Sequence, residues 1–224
     1  MVNIPIVSLD KIYIQPDDKN IYFLDCTRVD GSNEIVSRGG ISIDDQILLL
    51  ASAIDSKEII LADDVVFSGK VLRDIIGRFK RLGINVVGII SSICTKDAYD
   101  NFNRTLKCGV KTNYLLGEDI IDQVCERDFY FGVAGSGIMI DTGDGFYKAP
   151  YFRPYGNPCE RASIPKEYEE YFSRGCIERS IYLWEKIDNT RGKRTLIGEL
   201  AEPIINTTSD DEVVKVLRME EKRR

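Results

Sequence analysis

Apolar residues along this chain change spacing several times, and each change marks the edge of an element. Ile21 to Leu24 is a short continuous apolar run that ends at Asp25. From Ile41 to Ile54 (ISIDDQILLLASAI) the apolar positions recur at helical spacing behind Ser42, a suitable N-cap. Glu58 to Val66 is continuous and rich in β-branched residues, the pattern of a strand buried on both faces. Val71, Ile75, Ile76, Phe79 and Leu82 then repeat at helical intervals up to Gly83. Asn85 to Ile93 reads as another buried strand, Lys96 to Leu106 as a helix and Lys111 to Leu116 as a short strand. Strands that alternate with helices imply βαβ units, so the expected class is α/β, with a doubly wound parallel sheet.

The pattern changes near residue 128. Gly137 to Phe152 holds two short strand-like runs around Thr-Gly-Asp-Gly, a hairpin turn signal. Pro165 to Ile187 is amphipathic and helical, with Tyr168, Tyr171, Phe172, Cys176, Ile177, Tyr182 and Trp184 among its apolar positions. Residues 1–129 are therefore expected to form the α/β core, and 130–224 an α+β extension packed on it.

Composition narrows the chemistry. The 224 residues are 43% hydrophobic and 29% charged, enough for a substantial core. A net charge of −6 argues against a broad nucleic-acid surface. The basic clusters at Arg191–Arg194 and Lys222–Arg224 read as solvated surface or tail. Histidine is absent, which excludes Ser-His and Cys-His pairs and every His-ligated metal. The six cysteines (Cys26, Cys94, Cys108, Cys125, Cys159, Cys176) include no CxxC pair. With no signal-like start and no membrane-length apolar run, a cytoplasmic location is expected.

The candidate chemistry centres on Glu58 to Leu72, EIILADDVVFSGKVL. Two adjacent carboxylates closing an apolar run call for a positive, hydroxylated or metallic partner. A P-loop needs GxxxxGK[ST]; Asp64 stands where the first glycine would be and Val71 follows Lys70, so that reading fails. Gly132-Val-Ala-Gly135-Ser-Gly137 is a place to seek a dinucleotide fingerprint, but a strand pattern follows it, which favours a glycine-rich hairpin.

ILADDVVFSGKVL resembles the PRPP-binding motif of type I phosphoribosyltransferases, and Ser37-Arg-Gly-Gly40 ahead of a helix resembles that family's pyrophosphate loop. Both motifs occur in the family's order, and the resemblance covers about residues 20 to 95. It implies that Asp63 and Asp64 hold the ribose 2′- and 3′-hydroxyls as the catalytic pair. It further implies that Val66, Phe67, Ser68, Gly69 and Lys70 form the 5′-phosphate loop, and that Arg38, Gly39 and Gly40 meet the pyrophosphate. Mg²⁺ is the implied cofactor, reached by Asp63 and Asp64 through ligand oxygens or water. Such residue types suit the task, because carboxylates accept from a diol and glycine lets backbone amides approach an anion at a helix start.

This chain departs from the pattern in three places. Phe67 stands where the family has a small or hydroxyl residue, and Val71 where it has Thr or Ser. The interval from Arg38 to Asp63 is also short for a mobile lid. Tyr147, Tyr151, Phe152, Arg153 and Tyr155 offer an alternative cover, with aromatic packing as the competing account. Arg28, in Asp25-Cys-Thr-Arg-Val-Asp30, is a further phosphate-binding candidate, against plain loop hydrogen bonding. Two functions stay open: transfer of a phosphoribosyl group to or from a nucleobase, or a non-catalytic PRPP or nucleotide sensor acting through its extension. The partner is then a small phosphoribosyl or nucleotide ligand, alongside a second copy of the chain or a partner protein, with no membrane.

Overall fold

The computed structural model describes residues 4–9, 20–32, 34–117, 126–161, 164–202 and 204–223. Cys125 and Arg224, named above, lie outside that set. The chain divides into two units, one of Met1–Thr27 with Ile35–Ile121 and one of Arg28–Glu34 with Asp122–Arg224.

The first unit holds a five-stranded parallel sheet: β1 (Ile6–Ser8), β2 (Ile21–Phe23), β5 (Glu58–Val66), β6 (Asn85–Thr95) and β7 (Gly109–Leu116), in the order β2-β1-β5-β6-β7. The two-residue strands β3 (Thr27–Arg28) and β4 (Ile35–Val36) stand where the chain passes between the units. Helix α1 (Ile43–Ala53) leads into β5, α2 (Lys70–Arg81) joins β5 to β6, and α3 (Lys96–Thr105) joins β6 to β7. The expected α/β architecture with a parallel sheet and flanking helices is therefore present.

Local signals account for the helix starts. Ser42 Oγ accepts from the Asp45 N–H at 3.1 Å, the N-cap its position suggested, and Thr95 caps α3 in the same way. Helix α2 opens differently, on Gly69 in the left-handed region (φ 68°). A Cβ there would come 2.6 Å from the Phe102 ring, so both conformation and space require glycine.

Register decides which side chains share a face. The row Val7, Leu61, Ile89, Val110 runs across four strands and belongs to the core beneath Ile43, Ile47, Leu72, Ile75, Phe79, Ala98 and Phe102 of the three helices. The next row on this face is Asp63, Ser91, Thr112. Asp64, one residue on, starts from the opposite face, because successive strand side chains alternate. The paired carboxylates thus leave β5 in opposite directions, which relieves the repulsion that their adjacency implies.

The second unit contains the hairpin of β8 (Ile138–Asp141) and β9 (Phe146–Ala149), the short α4 (Pro158–Arg161), the long α5 (Glu169–Arg191) and α6 (Val213–Lys222). The three glycines at 132, 135 and 137 all take positive φ and lead into β8, the first strand of the hairpin. Its core joins Phe131, Phe152, Ile177, Trp184, Val213 and Leu217, with the Trp184 indole N–H donating to the Phe131 carbonyl at 2.8 Å. Among the described residues, no helix is long and apolar enough to cross a membrane.

Candidate functional site

Strand order locates the site. Numbered by chain order within the sheet, the strands run 2-1-3-4-5, so successive connections leave β1 in opposite directions and the order reverses between β1 and β5. Ligands of open α/β sheets bind in the crevice at the carboxyl ends of such strands. Strand β1 ends at Ser8, whose register partner is Ala62, so Asp63 is the first residue of β5 beyond the end of β1. Asp63 and Asp64 therefore stand at the reversal point, both half-buried. Asp63 Oδ1 accepts from the Asp64 N–H at 3.1 Å, and Asp64 Oδ1 from the Val65 N–H at 2.7 Å.

Past the carboxylates, Val66 is buried, Phe67 half-buried, Ser68 exposed, Gly69 buried and Lys70 exposed at the start of α2. Two side chains hold this loop by its carbonyls: Thr95 Oγ1 donates to Phe67 O at 2.6 Å, and Arg73 Nη2 to Ser68 O at 2.7 Å. Turning these carbonyls toward donors leaves the α2 end of the loop to its N–H groups, the polarity a phosphate needs.

At the end of β2, Asp25 organises the other loop. Its carboxylate accepts from Ser37 Oγ at 3.0 Å and from Arg38 Nη1 at 3.2 Å. Arg38 Nη1 also donates to Cys26 O at 2.8 Å, and the Gly39 N–H donates to Ser37 Oγ at 3.0 Å. Gln46 of α1 fastens the pair: its Oε1 accepts from the Asp25 N–H, and its Nε2 donates to Asp25 O and Ile41 O. Gly39 and Gly40 remain exposed, and the Arg38 side chain is 40% exposed. Strands β2 and β5 flank β1, so the two loops rise from strand ends roughly 10 Å apart, two strand spacings.

The charges converge on one buried thiol. Burial pushes Cys26 up to about 12, the negative charge of Asp63 adds to the rise, Arg38 opposes it, and Asp25 and Asp74 raise it further. Cys26 is consequently a neutral thiol near pH 7 and supplies no nucleophile. Asp63 and Arg38 both act on it, which ties Asp63 and the arginine loop to one neighbourhood of the first unit.

The remaining candidates fall elsewhere. Arg28 belongs to the second unit, as do the aromatics considered as a cover. Tyr151 and Phe152 are buried in that unit, and Tyr155 packs against Phe131 and Phe152, so the packing account holds for these three. Arg153 pairs with Glu169 through Nε at 3.0 Å. Among the described residues, no group of three or more His, Cys, Asp or Glu is arranged to hold a metal ion. A Mg²⁺ ion at Asp63 and Asp64 would thus depend on ligand oxygens for most of its coordination.

Arg73 escaped the reading of the sequence, although it stands four residues beyond Gly69 on α2. Asp25 escaped as the anchor of Arg38 because the two are 13 positions apart. Comparison with protein-family models, curated proteins and solved structures returns no match for this chain.

Proposed function

We propose that the chain is a phosphoribosyltransferase-like protein that binds PRPP or a related 5′-phosphoribosyl compound at the carboxyl edge of its parallel sheet. The observation that carries this reading is the placement of Asp63-Asp64 at the strand-order reversal, directly ahead of a glycine-started helix. In this reading Asp63 and Asp64, in the last four residues of β5, accept from the ribose diol. The loop from Val66 to Lys70 receives the 5′-phosphate, with the Arg73 guanidinium beside it. Arg38, Gly39 and Gly40, on the loop anchored by Asp25, receive the pyrophosphate. Mg²⁺ supplies charge neutralisation of the leaving pyrophosphate when bound with the ligand. Departure of pyrophosphate breaks the ribose C1–O bond, and a nucleobase nitrogen closes the new bond to C1.

Non-catalytic sensing is the second reading, favoured by one observation: the Arg38 guanidinium is already committed to Asp25 and to the Cys26 carbonyl. A cation so held suits retention of a ligand.

Calorimetric titration of PRPP with and without Mg²⁺, on the parent and on Asp63→Asn/Asp64→Asn, tests the binding. Magnesium-dependent binding that the double variant loses supports the proposal, and a parent that binds no PRPP removes it. Pyrophosphate release in the presence of nucleobases then separates the transferase from the sensor.

A further inference from the structure

Arg38 makes both of its hydrogen bonds through a single nitrogen. Nη1 donates to Asp25 Oδ1 at 3.2 Å and to Cys26 O at 2.8 Å, which spends both of its protons. Among the described residues, Nε and Nη2 make no hydrogen bond, and the side chain is 40% exposed, against 13% for Asp25. The edge left open is the Nε–Nη2 side of the fork, which matches a pair of phosphate oxygens. Asp25 itself is fixed from elsewhere. The Leu24 N–H donates to Ser8 O at 2.9 Å, so bonding to the sheet reaches the residue before it, and Gln46 of α1 takes both its N–H and its carbonyl. Its second carboxylate oxygen accepts from Ser37 Oγ at 3.0 Å, and that hydroxyl accepts from the Gly39 N–H. Ser37 and Gly39 flank Arg38, so one carboxylate sets both the loop that carries the arginine and the hold on its guanidinium.

We infer that Asp25 is a positioning residue acting through Arg38: it takes up Nη1 and leaves the Nε–Nη2 edge for the pyrophosphate group. The inference rests on the phosphoribosyl-binding reading above. An unheld arginine loses much rotamer freedom when it captures an anion, and here that cost falls on folding and not on binding. The carboxylate also repels a bound anion. It is paired with Arg38, however, and repulsion through solvent is screened, so removal of Asp25 costs more in lost aim than it gains in lost repulsion.

The test titrates two ligands, PRPP with Mg²⁺ and ribose 5-phosphate, which lacks the pyrophosphate. The proteins are the full chain, Asp25→Ala, Asp25→Asn, Arg38→Ala and Asp25→Ala/Arg38→Ala, each also followed by thermal melting. Asp25→Ala is expected to bind PRPP about tenfold more weakly and ribose 5-phosphate as the parent does. Asp25→Asn, which keeps an acceptor for Nη1, is expected to retain more of the PRPP affinity. In the Arg38→Ala background, removal of Asp25 should have no further effect, the coupling expected of a residue that works through the arginine. An Asp25→Ala variant that binds PRPP as well as the parent, or better, overturns the inference and leaves the phosphoribosyl reading standing. An undiminished effect in the Arg38→Ala background also overturns it. So does weaker binding of both ligands with a lower melting temperature, which marks a structural carboxylate. A parent that binds no PRPP removes the reading and the inference with it.

Discussion

Arg73 donates through Nη2 to the Ser68 carbonyl at 2.7 Å while its guanidinium carbon stands 5.8 Å from the centre of the Phe102 ring. One side chain of α2 thus ties the loop ahead of its own helix to a ring on α3. A charge-assisted hydrogen bond and a cation–π contact each contribute on the order of 1 kcal/mol at a partly exposed site. Arg73→Ala should weaken binding of ribose 5-phosphate about tenfold, and the deficit should shrink as salt is raised. Arg73→Lys should recover only part of the loss, because an ammonium lacks the planar fork that reaches the carbonyl and the ring together. Titrations at two ionic strengths check both points.

Two glycines of the same helical segment should respond in opposite directions. Gly69→Ala forces a Cβ into the left-handed region and to 2.6 Å from the Phe102 ring, a destabilisation of at least about 2 kcal/mol. Gly77, inside α2, has nothing within 4 Å of an added Cβ, so Gly77→Ala should stabilise by about 0.5–1 kcal/mol. Chemical denaturation of the two variants measures the contrast, and equal shifts would contradict it.

What could be read in the sequence depended on how local each signal is. Strand β5 matches its expected bounds, Glu58–Val66, because the apolar run is continuous and bounded at both ends. Helix α1 follows its Ser42 cap, and α5 begins beyond Pro165 as its periodicity implies. Strand β1 was not singled out, since three residues show no period; it becomes a strand through pairing with β2 on one side and β5 on the other. Arg28–Glu34 joins the second unit through contacts over a hundred positions away, Asp30 N–H to Met139 O and Asn157 N–H to Asp30 Oδ2. The carboxylate pair was visible as a motif, but its division between two faces, and the hold of Asp25 on Arg38, needed the register of the sheet.

Alkaline pH should destabilise the first unit through Cys26. Its folded-state value, about 12, lies above the ordinary 9.0, so its contribution is fully present below pH 9 and is lost as pH rises toward 12. In that window the unfolded chain has released the proton and the folded one still holds it, so stability falls with pH. Cys26→Ala removes this term and should flatten the fall between pH 9 and 11 relative to the parent, whatever its offset at pH 7. Denaturant midpoints across that range give the two slopes, and identical slopes would refute the assignment.

The two carboxylates should be separable through the same thiol. Asp63 is the leading charge that raises Cys26, whereas Asp64 does not appear among its influences and leaves β5 on the other face. Asp63→Asn should therefore lower the Cys26 value, while Asp64→Asn leaves it unchanged. Thiol reactivity under conditions that transiently open the fold, followed as a function of pH in Cys94→Ala/Cys108→Ala/Cys125→Ala/Cys159→Ala/Cys176→Ala backgrounds, isolates Cys26. A lower apparent midpoint in the Asp63 variant alone supports the division of faces. Equal downward shifts would place both carboxylates on the Cys26 side of the strand, and a common orientation toward one ligand edge would follow. Binding data sharpen the distinction, because a diol held by both carboxylates needs both groups. Each single variant should then lose at least tenfold in PRPP affinity, roughly the worth of one charge-assisted hydrogen bond, even though only Asp63→Asn moves the thiol.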